Sequence, residues 1–132
     1  MKRLFKAGDI KCHQHQVAPT DFAAFAGKTV HSVCSTFALA REMEWASRLF
    51  VLDMLEQNEE GIGTRLNVIH HSPALEDEVL EIEATWKGIT KGGEILCDIT
   101  VRVKDRLVAS GITGQKILPK EKINQIFARL EK

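Results

Sequence analysis

The chain has 132 residues, room for a single domain (1–132) whose core needs neither disulfide nor metal staples. Apolar residues make up 44% and charged residues 27%, with Lys+Arg and Asp+Glu equal at 18 each. That balance excludes intrinsic disorder and leaves no basic excess to neutralise nucleic-acid phosphates. Three cysteines, Cys12, Cys34 and Cys97, in no CxxC spacing exclude a zinc framework and a paired disulfide set, and they predict a reduced, cytoplasmic setting. Lys6, Asp9 and Lys11 interrupt any apolar run after the basic N-terminus, and no stretch approaches the ~18 apolar residues of a membrane span. Neither a signal peptide nor a membrane association is expected.

Residues 10–17 read as a first strand, with Ile10, Cys12 and Val17 among polar neighbours. From Pro19 to Val33 the pattern is mixed, and Phe22 and Phe25 suggest a packed loop or short helical turn. A long helix is predicted from Thr36 to Gln57. Ser35 or Thr36 can cap it, its interior lacks Gly and Pro, and Gly61 with Gly63 is expected to end it. Arg41, Glu42, Arg48, Asp53 and Glu56 share one arc at about 100° per residue, while apolar residues from Ala38 to Leu55 cover the rest. So wide an apolar sector predicts a helix largely wrapped by protein.

Beyond it the period becomes two. Thr64, Leu66, Val68 and His70 alternate with Arg65, Asn67, Ile69 and His71. Leu80 to Trp86, Ile95 to Val103 and, more loosely, Leu107 to Leu118 follow the same rule. The separators at Ser72-Pro73, 88–93 and 104–106 suit antiparallel connections. Pro119 then opens a last helix striped by Ile123, Ile126, Phe127 and Leu130. This order predicts an α+β hotdog-like fold, a curved antiparallel sheet around one long helix. The open sheet edge predicts pairing into a homodimer or a dimer of dimers.

Three side chains become candidates on that frame. Glu44 lies toward the apolar sector of the helix, Thr36 at its start, and His70 on the strand face that meets it. Together with the unpaired N–H groups of the helix start, they could polarise a carbonyl, hold an oxyanion and move protons. A second reading competes: Glu44 pairs with Arg48 or Arg41 on a wet surface, Thr36 only caps, and His70 is a core histidine. His13 and His15, with Cys12 or His31, could hold a metal, but no supporting ligand cluster accompanies them, and no metal site is expected. Cys34 could be a thiol activated by the helix terminus or a buried small hydrophobe.

The run Thr36-Phe37-Ala38-Leu39-Ala40-Arg41-Glu42-Met43-Glu44-Trp45-Ala46, then Gly61-Ile62-Gly63-Thr64 and His70, resembles the fluoroacetyl-CoA thioesterase-like branch of the hotdog superfamily. The spacings agree: eight residues from Thr36 to Glu44 and six from Thr64 to His70. The resemblance implies a catalytic threonine, glutamate and histidine at Thr36, Glu44 and His70, and substrate-binding residues at Gly63 and Thr64. It further implies hydrolysis of a small or medium acyl-CoA, with coenzyme A as part of the substrate and no other cofactor. In the expected arrangement Thr36 orients Glu44. The later stretch Ser110-Gly111-Ile112-Thr113-Gly114-Gln115 departs from the branch's Ser-Gly-Thr-His-Glu-Arg, so an arginine contact from that strand does not transfer. Six lysines (Lys2, Lys6, Lys11, Lys116, Lys120, Lys122) could meet a CoA phosphate. A hotdog dehydratase or hydratase and a non-catalytic acyl-thioester-binding protein are the alternatives.

Overall fold

Ser35 starts the central helix, α1 (Thr36–Met54), its hydroxyl accepting a 3.0 Å hydrogen bond from the Ala38 N–H, a cap worth about 1 kcal/mol. In the computed structural model, which describes residues 1–131, this helix lies in the concavity of a five-stranded antiparallel sheet. The strands are β1 (Ile10–Gln16), β4 (Glu59–His70), β5 (Val79–Ile89), β6 (Ile95–Val103) and β7 (Arg106–Pro119). Their spatial order is β1-β5-β6-β7-β4, so β1 and β4 are the two edges. The hotdog architecture expected from the alternating pattern is present.

The helix buries Leu39, Met43, Ala46, Phe50, Val51 and Met54 against Leu80, Ile82, Ile99, Val101 and Val108 of the sheet. Each such fully buried large side chain contributes about 1.5–3 kcal/mol. Phe50 also meets Phe5 (ring centroids 4.8 Å apart) and Trp86 (5.4 Å), closing the core at the N-terminal segment. α1 is not wrapped all round as expected. Phe37, Glu44, Trp45 and Leu52 stay exposed between the two sheet edges, whereas Glu42 and Ser47 are buried.

Three elements depart from expectation. The helix stops at Met54, where Leu55 turns extended (φ −63°, ψ 136°), and Gly61 and Gly63 belong to β4 instead. Both glycines serve close packing: a Cβ at Gly61 would lie 2.6 Å from a Val51 methyl, and one at Gly63 2.5 Å from Glu44 Oε1. The mixed segment holds a 3₁₀ turn (Pro19–Asp21) and a separate hairpin, β2 (Phe22–Phe25) with β3 (Lys28–Cys34). Its turn uses Ala26 and Gly27, both at positive φ (52° and 77°), without an Asn-Gly or Asp-Gly signal. The last helix, α2, spans Lys120–Leu130 and buries only Ile123. No helix among the described residues is long and apolar enough to cross a membrane.

Candidate active site

Thr36 and His70 meet at the N-terminal end of α1. The Thr36 hydroxyl and His70 Nδ1 are 3.0 Å apart, because His70 ends β4 on the face that includes Val68 and points to the helix. The other ring nitrogen, Nε2, is buried with no hydrogen-bond partner. Orphaned polar atoms of this kind cost about 1–3 kcal/mol and call for an explanation beyond packing. Ser35 takes the Ala38 N–H, while among the described residues no acceptor meets the N–H of Thr36 or Phe37. Those two donors carry the partial positive charge of the helix start. The hairpin flanks this corner: Phe22, Phe25, Thr36 and Phe37 line a cleft of ≈ 530 Å³.

Glu44 lies elsewhere in the chain's fold. Two helical turns separate it from Thr36, about 12 Å along the axis at 1.5 Å per residue. Within one chain, therefore, the expected orienting contact of Thr36 with Glu44 is not made; the Thr36 hydroxyl is engaged by His70. The Glu44 carboxylate lies over Gly63 in a second cleft of ≈ 460 Å³, lined also by His13, Trp45, Arg48 and Gln115. Among the described residues it makes no hydrogen bond or ion pair. Arg48 instead holds Glu60 at 3.0 Å, and Arg41 holds Asp21 at 2.8 Å and Glu42 at 2.6 Å. The surface-pair reading of Glu44 thus loses both proposed partners, and the carboxylate stands free beside a cleft.

Thr64 points away from that cleft. A β-bulge between Gly63 and Arg65 turns it to the outer face of the sheet, where its hydroxyl donates to Glu94 Oε2 at 2.6 Å. Gly63 faces the site and Thr64 does not, although the alternation sets Thr64 on one face with Leu66, Val68 and His70. None of the six lysines lines the Glu44 cleft, where Arg41 and Arg48 are the cations. Trp45 and Gln115 line the cleft without having been singled out from sequence. The available signal for Gln115 was a polar residue on the strand face shared with Gly111 and Thr113.

A polar network closes the β1 side. His13 Nε2 lies 2.9 Å from Glu42 Oε1, and His15 Nε2 lies 2.7 Å from Asp21 Oδ2. Burial pushes both carboxyls up. The Ala18 amide, Arg41 and His15 outweigh it at Asp21, and His13 with Arg41 outweighs it at Glu42, so both lie below their ordinary values. Both histidines are thereby committed to carboxylates, and among the described residues no group of three or more His, Cys, Asp or Glu is placed to hold a metal ion. Burial, reinforced by Asp21, pushes the Cys34 thiol up to about 11, the opposite of activation.

Comparisons with known proteins agree with this architecture. The profile of the family described as FlK, fluoroacetyl-CoA-specific thioesterase, matches residues 17–121. A Thermus thermophilus structure described as a thioesterase superfamily member is 30% identical, with a TM-score of 0.91, covering 98% of this chain and 95% of that one. A structure of a fluoroacetyl-CoA-specific thioesterase FlK variant shares the fold at 20% identity (TM-score 0.85; 97% and 98% covered). So does a hot-dog-like protein from Thermanaerovibrio acidaminovorans at 16% (TM-score 0.88; 97% and 94%). No curated protein sequence matches.

Proposed function

From the premise that the chain belongs to the fluoroacetyl-CoA-specific thioesterase family, and is an acyl-CoA thioesterase, we propose a hydrolytic site assembled from two copies of it. One copy supplies Glu44, the other Thr36 and His70. The observation that carries this is the unpaired β4 edge, which exposes Leu66 and Ile69 and whose Gly61 and Gly63 line the carboxylate-bearing cleft. In the register we propose, two β4 strands would pair antiparallel about an axis at Asn67, which would set Leu66 against the partner subunit's Val68. The same register would bring the partner subunit's His70 to the Gly63–Thr64 bulge, beneath Glu44.

The reaction then needs only groups of the chain and water. Glu44 takes a proton from water, and the hydroxide adds to the thioester carbonyl. The oxyanion that forms is met by the free N–H groups of Thr36 and Phe37. Collapse breaks the C–S bond, and the proton that Glu44 took returns through water and the His70 ring, which Thr36 orients, to the departing CoA thiolate. The products are a carboxylic acid and free coenzyme A, with every proton accounted for. A small or medium acyl group would lie in the cleft between Phe22, Phe25 and Phe37. No metal or redox cofactor has a step in this scheme, so EDTA-treated protein should keep its rate. Loss of activity restored by zinc would redirect attention to His13 and His15. Cys12, Cys34 and Cys97, all free, suit a reducing cytoplasm, where we place the reaction.

The test is thiol release from a panel of short acyl- and aryl-CoAs. Turnover that disappears in both Glu44→Gln and His70→Ala supports the scheme. Turnover by Glu44→Gln at the wild-type rate ends it.

A further inference from the structure

Two buried polar side chains lie behind Glu44 and belong to no part of the scheme above. Gln115 of β7 is 4% exposed and Ser47 of α1 is 2% exposed. Ser47 Oγ lies 2.9 Å from the Glu44 carbonyl oxygen and can only donate to it. Its lone pair must therefore accept whatever faces it from Gln115, which assigns the atom at 2.7 Å as the amide Nε2. The same Nε2 lies 3.5 Å from the Glu44 carbonyl. A donor chain thus runs from the sheet through the serine to the backbone of one helical residue.

The position of that chain is specific. Gln115 is the β-ladder partner of Gly63, the residue whose missing Cβ makes room for the Glu44 carboxylate. One rung of the sheet therefore grips Glu44 twice, by its main chain through Gln115 and Ser47, and by leaving space for its side chain at Gly63. Burying a serine and a glutamine among apolar residues is unfavourable unless both are hydrogen-bonded, and a leucine or methionine would fill the same space. What the polar pair adds is a fixed height and rotation of α1 at Glu44.

We propose that Gln115 and Ser47 form a positioning pair that sets the Glu44 carboxylate for attack, acting through the helix backbone and touching no reacting atom. The proposal rests on Glu44 being the general base. A displacement of about 1 Å at a reacting group can cost about 10²-fold in rate. Gln115→Met and Ser47→Ala each keep volume near that of the wild type. Each should lower kcat about tenfold or more, with KM within about twofold. The double variant should be no slower than the worse single one, because the two act as one unit. In a Glu44→Gln background neither change should slow the residual rate further. Thiol release from acetyl-, butyryl- or benzoyl-CoA, whichever the wild type turns over fastest, reads all of these, with melting curves to confirm that each variant is folded.

Unchanged kcat in folded Ser47→Ala would overturn the proposal, and so would a rise in KM alone. An equal loss with and without Glu44 would show a general packing effect and overturn positioning while leaving the base intact. A wild-type rate in Glu44→Gln would instead remove the base itself, a separate failure.

Discussion

Glu44 is exposed on a helix, close to two arginines, and still unpaired. Arg41 is drawn to the buried Asp21 and Glu42, and Arg48 to Glu60, because those carboxylates lie where the guanidinium forks can reach them. A carboxylate left free beside a cleft can act as a base. Glu44→Gln should change stability by less than about 0.5 kcal/mol, as for other surface substitutions, while cutting kcat by about 10²-fold or more. Chemical denaturation and thiol release measure the two separately; a large loss of stability would return Glu44 to a structural role. Gly63→Ala tests the same carboxylate from below. Its Cβ would meet the end of a flexible side chain, Glu44 Oε1 at 2.5 Å, and no rigid backbone. The protein should fold normally and lose activity, because the carboxylate must swing aside. A Gly63→Ala protein with full kcat would show that Glu44 need not lie over that position.

At the scale of elements, the sheet strands and the long helix were legible because one face of each is buried and the residue pattern records it, and the last helix from its apolar stripe, although only Ile123 of it is buried. Ile95 to Val103 alternates buried and less buried positions without a break. The β2–β3 hairpin was not legible, because β3 is exposed along most of its length and carries no alternation to read. The bulge at Thr64 was equally silent: strict alternation set Thr64 on the face of Leu66, Val68 and His70, and one extra residue reverses it. The convergence of Glu44 with Thr36 expected from the sequence is not met within one chain, since helical spacing sets them two turns apart. The hairpin is tied down by Asp21, which accepts from Ala18 N–H, Arg41 and His15. Asp21→Asn should therefore destabilise the fold by about 1–3 kcal/mol near neutral pH. Asp21 and Glu42 both have lowered pKa values, so their stabilisation is present above the ordinary values of 3.8 and 4.5. It is lost as pH falls through the lowered folded values. The gap between wild type and Asp21→Asn in urea midpoint should close as pH drops below about 4. A gap that persists at pH 2 would show that the carboxylate charge is not what holds the hairpin.

At the scale of the whole molecule, the two sheet edges are built differently. β1 is blunted by polar residues, with Lys11 paired to Asp53 at 2.5 Å and both histidines engaged, a common protection against edge association. β4 instead exposes Leu66 and Ile69 along an unpaired ladder, next to the one carboxylate left free on α1. The isologous pair we propose across β4 would cover that edge and join Glu44 to the partner subunit's Thr36 and His70, so the monomer should be both sticky and inactive. Two inactive variants distinguish this from a site within one chain. Glu44→Gln retains Thr36 and His70, and His70→Ala retains Glu44. Co-refolding them in equal amounts gives about half heterodimers, each with one of its two sites intact, so activity should return to about one quarter of the wild type. A site contained in a single chain offers no such route, since every site in the mixture would lack one residue or the other. Recovery no greater than the sum of the separate parents would place the whole reaction within one subunit, even if sedimentation showed the protein to be a dimer.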